Sequence, residues 1–460
     1  MNKFNTKYIF GISMVSALGG LLFGYDWVVI GGAKPFYEQF FNIAGSANLQ
    51  GWAMSSALLG CLLGSVISGA LSDRFGRKRL LIFSALLFVV SAFGTGAANQ
   101  YNTFILYRIL GGIGIGLASN LSPMYIAEIS PAAVRGKFVS LNQLTIVIGI
   151  LAAQLINWTI ADAIPAGSSN AEILASWNGQ TGWRWMFWAE IIPASFFFIL
   201  MFFVPESPRW LAKNGSEKEV ENILAKIGGE SYAKNEYDSI KETLDSETGK
   251  VNFRELFKPG LKKVLIIGIV LAVFQQWSGI NVIFNYAEEV FKAAGYDVSD
   301  ILFNIVITGS VNLIFTFIAI YTVDKLGRKS LMMIGAGGLA GVYALMGAAY
   351  YFNISGVVLL LLVVLAIATF AMSLGPVTWV VLSEIFPNRI RGAAMAVSTF
   401  SLWLACFVLT YTFPFLNEML GASGTFWLYG IICVAGLIFI YYKLPETKGK
   451  SLEEIEHEII

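Results

Sequence analysis

The sequence predicts an all-α membrane protein, with twelve transmembrane helices in two six-helix halves and a cytoplasmic helical linker between them. Three observations carry that expectation. The 460 residues are 56% hydrophobic and 13% charged, with a mean hydropathy of +0.67, against the roughly 25% charged residues of a soluble domain. Apolar runs near the ~20 residues that cross a bilayer recur along the chain, FWLYGIICVAGLIFIYY at 426–442 among them. Three short charged motifs also occur twice, in the same order. The formal net charge of +1 carries no signature of nucleic-acid binding.

The spans fall at 8–33, 51–72, 80–98, 102–128, 137–160 and 184–204, then at 262–288, 301–323, 331–351, 355–383, 392–417 and 423–442. They divide the chain into a first half (1–204), a linker (205–261), a second half (262–443) and a tail (444–460). The first run is too long for the core of a signal peptide and is expected to remain as the first helix. Cys61, Cys406 and Cys433 lie inside apolar runs, which predicts packing roles and no disulfide framework. Orientation follows from lysine and arginine, which concentrate in cytoplasmic loops. With both termini inside, all but four of the 31 basic residues fall on inner segments, the exceptions being Lys34, Arg108, Arg184 and Lys292.

The chain repeats itself. DRFGRK at 73–78 returns as DKLGRK at 324–329, YIAEISPAAVRGK at 125–137 as VLSEIFPNRIRGA at 381–393, and PESPRWL at 205–211 as PETKGKSL at 445–452. The offsets of 251, 256 and 240 are nearly constant and mark two related halves. Two such halves about an axis along the membrane normal form the major-facilitator architecture, whose site lies between them near the midplane.

The repeated motifs place charge at the inner helix ends. In the first half these are Asp73, Arg74, Arg77, Glu128, Arg135, Glu206 and Arg209; in the second, Asp324, Arg328, Glu384, Arg391 and Glu446. Surface ion pairs worth about 0–1 kcal/mol each do not account for acids recurring at matched places. Arginine's planar, permanently charged fork suits pairing between helices. These residues therefore read as a cytoplasmic gate whose pairs hold the inner mouth shut and break when it opens. In the linker, Ser216 to Glu219 reads as a capping box, and Val220, Ile223, Leu224 and Ile227 follow at helical spacing up to Gly228. Tyr237, Ile240 and Leu244 indicate a second amphipathic helix. Both are expected to pack under the bundle.

Between Lys7 and Lys34 the sole charge is Asp26, inside the first span. A carboxylate there costs about 2.5–3.5 kcal/mol on the insertion scale. Asp26 lies seven residues from Ala33, about 10 Å deep at 1.5 Å per residue. The fourth span starts from the same surface near Asn102, and Arg108 lies six residues in, about 9 Å deep. Opposite charges at one depth, the intramembrane charges of the first half, predict an ion pair. Protonation of the carboxylate depends on whether the arginine stays close, so a pair that separates between conformations is a proton-linked switch. A permanent lock between the two helices is the alternative. Buried pairs are poor stabilisers and intramembrane charges mark function, which favours the switch.

GGLLFGYD at 19–26, RILGGIGIG at 108–116, PMYIAEISPAAVRGK at 123–137, PESPRWL at 205–211, FQQWSGIN at 274–281, VDKLGRK at 323–329, GPVTWVVLSEIFPNRIRG at 375–392 and PETKGKSLEE at 445–454 run nearly end to end. On these motifs the chain resembles the sugar porter family of the major facilitator superfamily, to which PESPRWL and PETKGKSL are specific. The glycines at 111–116 make no nucleotide fingerprint, because the i, i+2, i+5 spacing fails and no strand precedes them. Gly112 and Gly116 instead form a GxxxG packing surface. The resemblance implies proton-coupled carriage of a monosaccharide, D-xylose or a similar pentose or hexose, by alternating access, with Asp26 and Arg108 as the coupling pair. Facilitative members have no acid at the position of Asp26. It also implies sugar-contacting roles for Gln143, Gln275, Gln276, Asn281, Asn312, Trp379 and Trp403. Amides both donate and accept, which suits a ring of hydroxyls, and tryptophan offers an apolar face. As helix–helix glue the amides would be worth about 0.6 kcal/mol apiece.

Against the family's xylose-transporting members, Ile150 replaces a sugar-binding glutamine, Asn285 a tyrosine and Leu402 a glutamine. Gln154, one turn beyond Ile150, is a partial substitute. Losing an amide partner costs about 1 kcal/mol, so two losses lower affinity about 30-fold. The expectation is a proton-coupled monosaccharide symporter of a bacterial inner membrane. Its partners are sugar, proton and bilayer, with no nucleic acid and no obligate protein partner. The rivals are a facilitative carrier and a sugar sensor; sensors add long tails, and only 18 residues follow Tyr442. No metal or cofactor is expected, the single histidine, His457, sits in the tail, and no nucleophile–base constellation points to an enzyme.

Overall fold

The structure, a computed structural model, describes residues 4–246, 256, 258, 260–387 and 391–448. The side chains of Asp324 and Arg391, and His457 in the tail, lie outside the described set. In the first half, α1 (Thr6–Phe40), α2 (Ala47–Phe75), α3 (Arg77–Ala97), α4 (Tyr101–Ile129) and α5 (Arg135–Ile160) are each long enough to span a bilayer. The short α6 (Asn170–Ala175) and a π-turn at Asn178–Gly182 lead into α7 (Trp183–Trp188) and α8 (Ile191–Leu200), which together make the sixth crossing. The linker holds α9 (Pro208–Lys213), α10 (Glu217–Gly228) and α11 (Glu230–Ser246). The second half follows with α12 (Leu261–Trp277), α13 (Ile280–Asn285), α14 (Ala287–Ala293), α15 (Val298–Leu326), α16 (Arg328–Tyr351), α17 (Val357–Ala371), α18 (Leu374–Ile385) and α19 (Arg391–Lys443).

Among the described residues, ten stretches are long and apolar enough to cross a membrane. One of them, Ala393–Lys443, has 51 residues, about 77 Å of helix and so two crossings of a ~30 Å core. It is broken at Gly421, where φ is 67° and ψ 176°. Together with α7 and α8 this gives twelve crossings. Two more of them are interrupted. The seventh breaks at Gly279, in the left-handed region at φ +85°, and the tenth at Ser373 between α17 and α18. Interrupted helices release backbone groups near the midplane, where such folds place their sites.

The first helix runs to Phe40, well past the expected end at Ala33. Hydropathy stops at Lys34, but Lys34 is buried and pairs with Glu38 one turn on, at 2.9 Å, so the charge does not end the helix. The packing inside each half is backbone to backbone at small residues. A Cβ on Gly112 would overlap the carbonyl of Ala57 in α2, and one on Gly116 that of Cys61. Gly24 and Gly149 bring α1 and α5 together in the same way, as small-residue interfaces do in membranes.

The linker helices pack on the first half. Val220, Leu224 and Ile227 of α10 are buried against Ile9, Ile126, Phe138 and Leu211, and Tyr237 and Ile240 of α11 join the same cluster. The expected capping box does not form. Ser216 makes no side-chain cap bond, its backbone lying at φ −92° and ψ 56°, outside the extended region from which a cap serine reaches the third N–H.

Candidate functional site

The fold lays α1 against α4, and Arg108 meets Asp26. Arg108 Nη1 donates to Asp26 Oδ1, and Nη2 to the Asp26 carbonyl oxygen at 3.3 Å. Both residues are 2% exposed. Asp26 Oδ2 and Arg108 Nε have no hydrogen-bond partner among the described residues. The guanidinium lies over the Phe187 ring, 5.8 Å from its centroid. Gly111 leaves the room: a Cβ there would stand 2.9 Å from Asp26 Oδ2. A third buried charge joins them. Glu190, in the turn between α7 and α8, is buried within electrostatic reach of both Asp26 and Arg108. Asp26 and Arg108 are therefore not the only intramembrane charges of the first half. An acid inside the span at 184–204 was the available signal. Two buried carboxylates thus lie in the neighbourhood of one guanidinium.

The break in the seventh crossing folds Asn281 back onto Gln276, which in turn bonds to Gln275. Gln276 Nε2 donates to Gln275 Oε1 at 2.8 Å, Asn281 Nδ2 donates to Gln276 Oε1, and Gln275 Nε2 donates to the Gly375 carbonyl at 3.2 Å. Gln143 on α5 and Trp379 on α18 are half-buried, while Asn312 on α15 and Trp403 on α19 are buried. Trp403 Nε1 has no partner among the described residues. Its ring meets Phe23 and Trp27 of α1 at 5.8 and 5.9 Å between centroids, so an aromatic contact crosses the seam beside Asp26. Asn285 is buried, its Oδ1 without a partner among the described residues, and lines, with Trp27 and Arg108, a cavity of about 10 Å³. Leu402 is buried and Ile150 half-buried. The side chain of Gln154 crosses the seam, its Oε1 lying directly over Gly309 of α15.

At the end that carries the linker, the duplicated motifs build duplicated clamps. Arg77 Nε and Nη2 grip Glu128 at 3.0 and 2.9 Å, and Nη1 reaches Asp73 at 3.4 Å. Glu206 accepts the Arg77 and Lys78 N–H groups at 3.0 and 3.1 Å, capping the start of α3. Ser207 Oγ donates to Glu128. In the second half, Arg328 Nη2 donates to Glu384 at 3.0 Å, Glu446 accepts the Arg328 and Lys329 N–H groups at 2.8 and 3.2 Å, and Thr447 Oγ1 donates to Glu384 at 2.5 Å. Both copies need their glycine. Gly76 and Gly327 have φ near +90°, and a Cβ on either would collide with Glu206 or Glu446. Arg74 is exposed over the Phe75 ring at 5.2 Å, and Arg135 Nε donates to the Ser130 carbonyl at 3.4 Å. Arg209 lines a cavity of about 390 Å³ with Asp73, Arg77, Glu128 and Lys213.

Of the charges expected to gate the inner mouth, two pairs are described here. Arg77–Glu128 joins α3 to α4 and Arg328–Glu384 joins α16 to α18, each within one half. In this conformation these two pairs brace each half from within. Burial opposes ionisation of Glu446, but the N–H groups of Lys448, Arg328, Ser330 and Thr447 outweigh it and hold the carboxyl below its usual range. That stabilisation is present above the ordinary carboxylate pKa of about 4.3 and is lost as pH falls through the lower folded value. In this partly exposed site, Glu446→Gln is expected to lower thermal stability in detergent by about 1 kcal/mol at pH 7. The deficit should shrink as pH falls below the ordinary carboxylate range.

The hydrogen bonds and ion pairs described between the halves gather at the opposite end. Lys34 Nζ of α1 meets Glu289 Oε1 at 2.5 Å and Glu288 Oε2 at 3.4 Å on α14. Tyr411 of α19 donates to Asn48 of α2 at 3.0 Å, and the Ile164 N–H donates to Ser299 Oγ at 3.0 Å. Sequence reasoning left this cluster out, although Lys34 stood among the four basic residues away from the inner segments.

A family profile described as "Sugar (and other) transporter" matches residues 12–459. The chain belongs to the sugar transporter family. This sugar transporter is 44% identical to the D-xylose-proton symporter of Escherichia coli (strain K12), across 99% of the chain and 96% of that protein. It is 41% identical to the arabinose-proton symporter of Bacillus subtilis (strain 168), across 98% and 94%, and 38% identical to a glucose transport protein of Synechocystis, across 98% and 97%. Its fold matches the inward open xylose transporter of E. coli with a TM-score of 0.86 at 40% identity, covering 98% of this chain and 100% of that one. The same symporter bound to 6-bromo-6-deoxy-D-glucose scores 0.81 at 42% identity, covering 99% and 100%. The twelve-helix major-facilitator architecture is thus the fold of this transporter.

Proposed function

We propose that the protein is a proton-coupled symporter of a monosaccharide in the pentose–hexose range, D-xylose included, working by alternating access in a bacterial inner membrane. The observation that carries this reading is the buried Asp26–Arg108 pair, with one carboxylate oxygen held by the guanidinium and the other without a partner among the described residues. A proton on Asp26 removes the charge that holds Arg108, and Glu190 adds a second acid to the same balance. Gln275, Gln276 and Asn281 exchange their mutual bonds for sugar hydroxyls, joined by Gln143 and Asn312, while Trp379 and Trp403 cover the ring faces. The clamps of Asp73, Arg77, Glu128 and Glu206, and of Arg328, Glu384 and Glu446, keep each half rigid as the two rock. Arg74, Arg135 and Arg209, with Asp324 and Arg391, complete the charged inner rim.

The crowding of basic residues at the linker end supports a cytoplasmic position for the linker and both termini. The domain division follows the same plan, two halves and a linker carried by the first. The test is uptake of labelled D-xylose, L-arabinose and D-glucose by proteoliposomes, with and without an inward proton gradient. Accumulation above equilibrium that requires the gradient is the expected result. Equilibration at one rate under both conditions makes the protein a facilitative carrier, and binding without uptake makes it a sensor.

A further inference from the structure

The charges at the outer seam do not balance. Lys34 faces three carboxylates, Glu38 at 2.9 Å on its own helix and Glu289 and Glu288 at 2.5 and 3.4 Å across the seam. Side-chain exposure is 2% for Lys34, 5% for Glu38, 12% for Glu288 and 22% for Glu289. With every acid ionised, one ammonium against three carboxylates leaves two uncompensated negative charges in a largely dry site, which is costly. The remaining groups that face the cluster, among the described residues, add no cation. Gln50 donates to Glu38 at 3.5 Å, and Tyr37, Tyr101 and Tyr286 lie within electrostatic reach as phenols that stay neutral below about pH 10. Just below, α1 touches α13 directly: a Cβ on Gly31 would stand 2.9 Å from the Phe284 carbonyl oxygen. Parting the halves here has to pull Lys34 off α14.

We propose that Lys34 pins the outer gate and that at least one proton is bound among Glu38, Glu288 and Glu289 whenever the gate is closed. The inference rests on the alternating-access reading and its sidedness. Opening separates Lys34 from Glu288 and Glu289, admits water and releases the proton to the outside; closing takes it back. This proton exchanges with one side only, so it adds nothing to the coupled stoichiometry. It makes external pH bias the gate independently of Asp26. By linkage, one proton shifts the closed-to-open ratio by up to about tenfold per pH unit.

The test is a distance measurement. Spin labels at Gln100→Cys and Asn353→Cys, both exposed on outer loops of opposite halves, report the gate by double electron–electron resonance, the native cysteines being buried. The background is Asp26→Asn, in which the coupling residue cannot titrate. Between pH 8 and pH 5 the closed distance should gain by up to about tenfold per unit. In Glu38→Gln/Glu289→Gln, which leaves Lys34 a single partner, the ratio should stay flat. Lys34→Met should stand open at pH 8 and close in acid; should that variant not fold, the double glutamine variant carries the test alone. A pH-independent distribution in the Asp26→Asn protein overturns the proposal, and so does a slope that the double variant leaves unchanged. Because the readout needs neither sugar nor gradient-driven uptake, it fails separately from the symport reading.

Discussion

Asp26→Asn protein exchanges labelled for unlabelled sugar at close to the wild-type rate and no longer accumulates sugar against its gradient. The amide is isosteric with the carboxyl group and permanently uncharged, so it reproduces the protonated state and nothing else. Its carbonyl oxygen still accepts from Arg108 Nη1, which keeps α1 seated on α4. With one proton per sugar, a gradient of one pH unit supports about tenfold accumulation, and the variant should fall to unity. Counterflow and gradient-driven uptake measured on the same vesicles separate the two quantities. Retained accumulation would place the coupled proton on Glu190, the other acid of the site.

Arg108→Gln has the second large effect, on stability. It removes the cation shared by Asp26 and Glu190 and the contact with the Phe187 ring. Breaking a buried pair from one side costs about 3–5 kcal/mol, because the remaining charge is left uncompensated. The folded state of the variant then binds more protons than the unfolded chain, so its stability falls as pH rises. Thermal unfolding in detergent should show a deficit that is greatest at pH 8 and shrinks toward pH 5. Adding Asp26→Asn should recover much of it. A deficit equal at both pH values would mean that the arginine matters for packing and not for charge.

Much of this was legible beforehand, for reasons that differ from residue to residue. Apolar runs locate crossings because the bilayer imposes their length, and the α10 face was readable because burial of Val220, Leu224 and Ile227 follows the helical period. The meeting of Asp26 and Arg108 followed from equal depth on antiparallel helices, even though α1 continues beyond the end assumed for it. Hydropathy is blind to backbone geometry, so the breaks at Gly279 and Ser373 went unseen. It also ends a helix at a charge, and so lost Lys34 and Glu38, which are tolerated only because tertiary structure pairs them. Glu190 was hidden as a single acid among aromatic residues. The clamps were found, but their partners were not: spacing along a chain says which residues reach the membrane surface and leaves open which helix stands next to which.

The bonds among Gln275, Gln276 and Asn281 bear on what happens when no sugar is aboard. A symporter makes half of every cycle unloaded, and bare amides in the occluded interior would stall that return stroke. Here Gln275, Gln276 and Asn281 bond to one another and to the Gly375 carbonyl, so these three amides are not left bare when the carrier is empty. On the proposed sugar site, the same arrangement makes the protein's own amides a competitor that the cargo has to displace. A ring whose hydroxyls replace those contacts together displaces them; one that replaces a single contact leaves its neighbours stranded. On that proposal, selectivity is set by the spacing of hydroxyls around the ring more than by their number, and slippage without cargo would be the cost of an easy return.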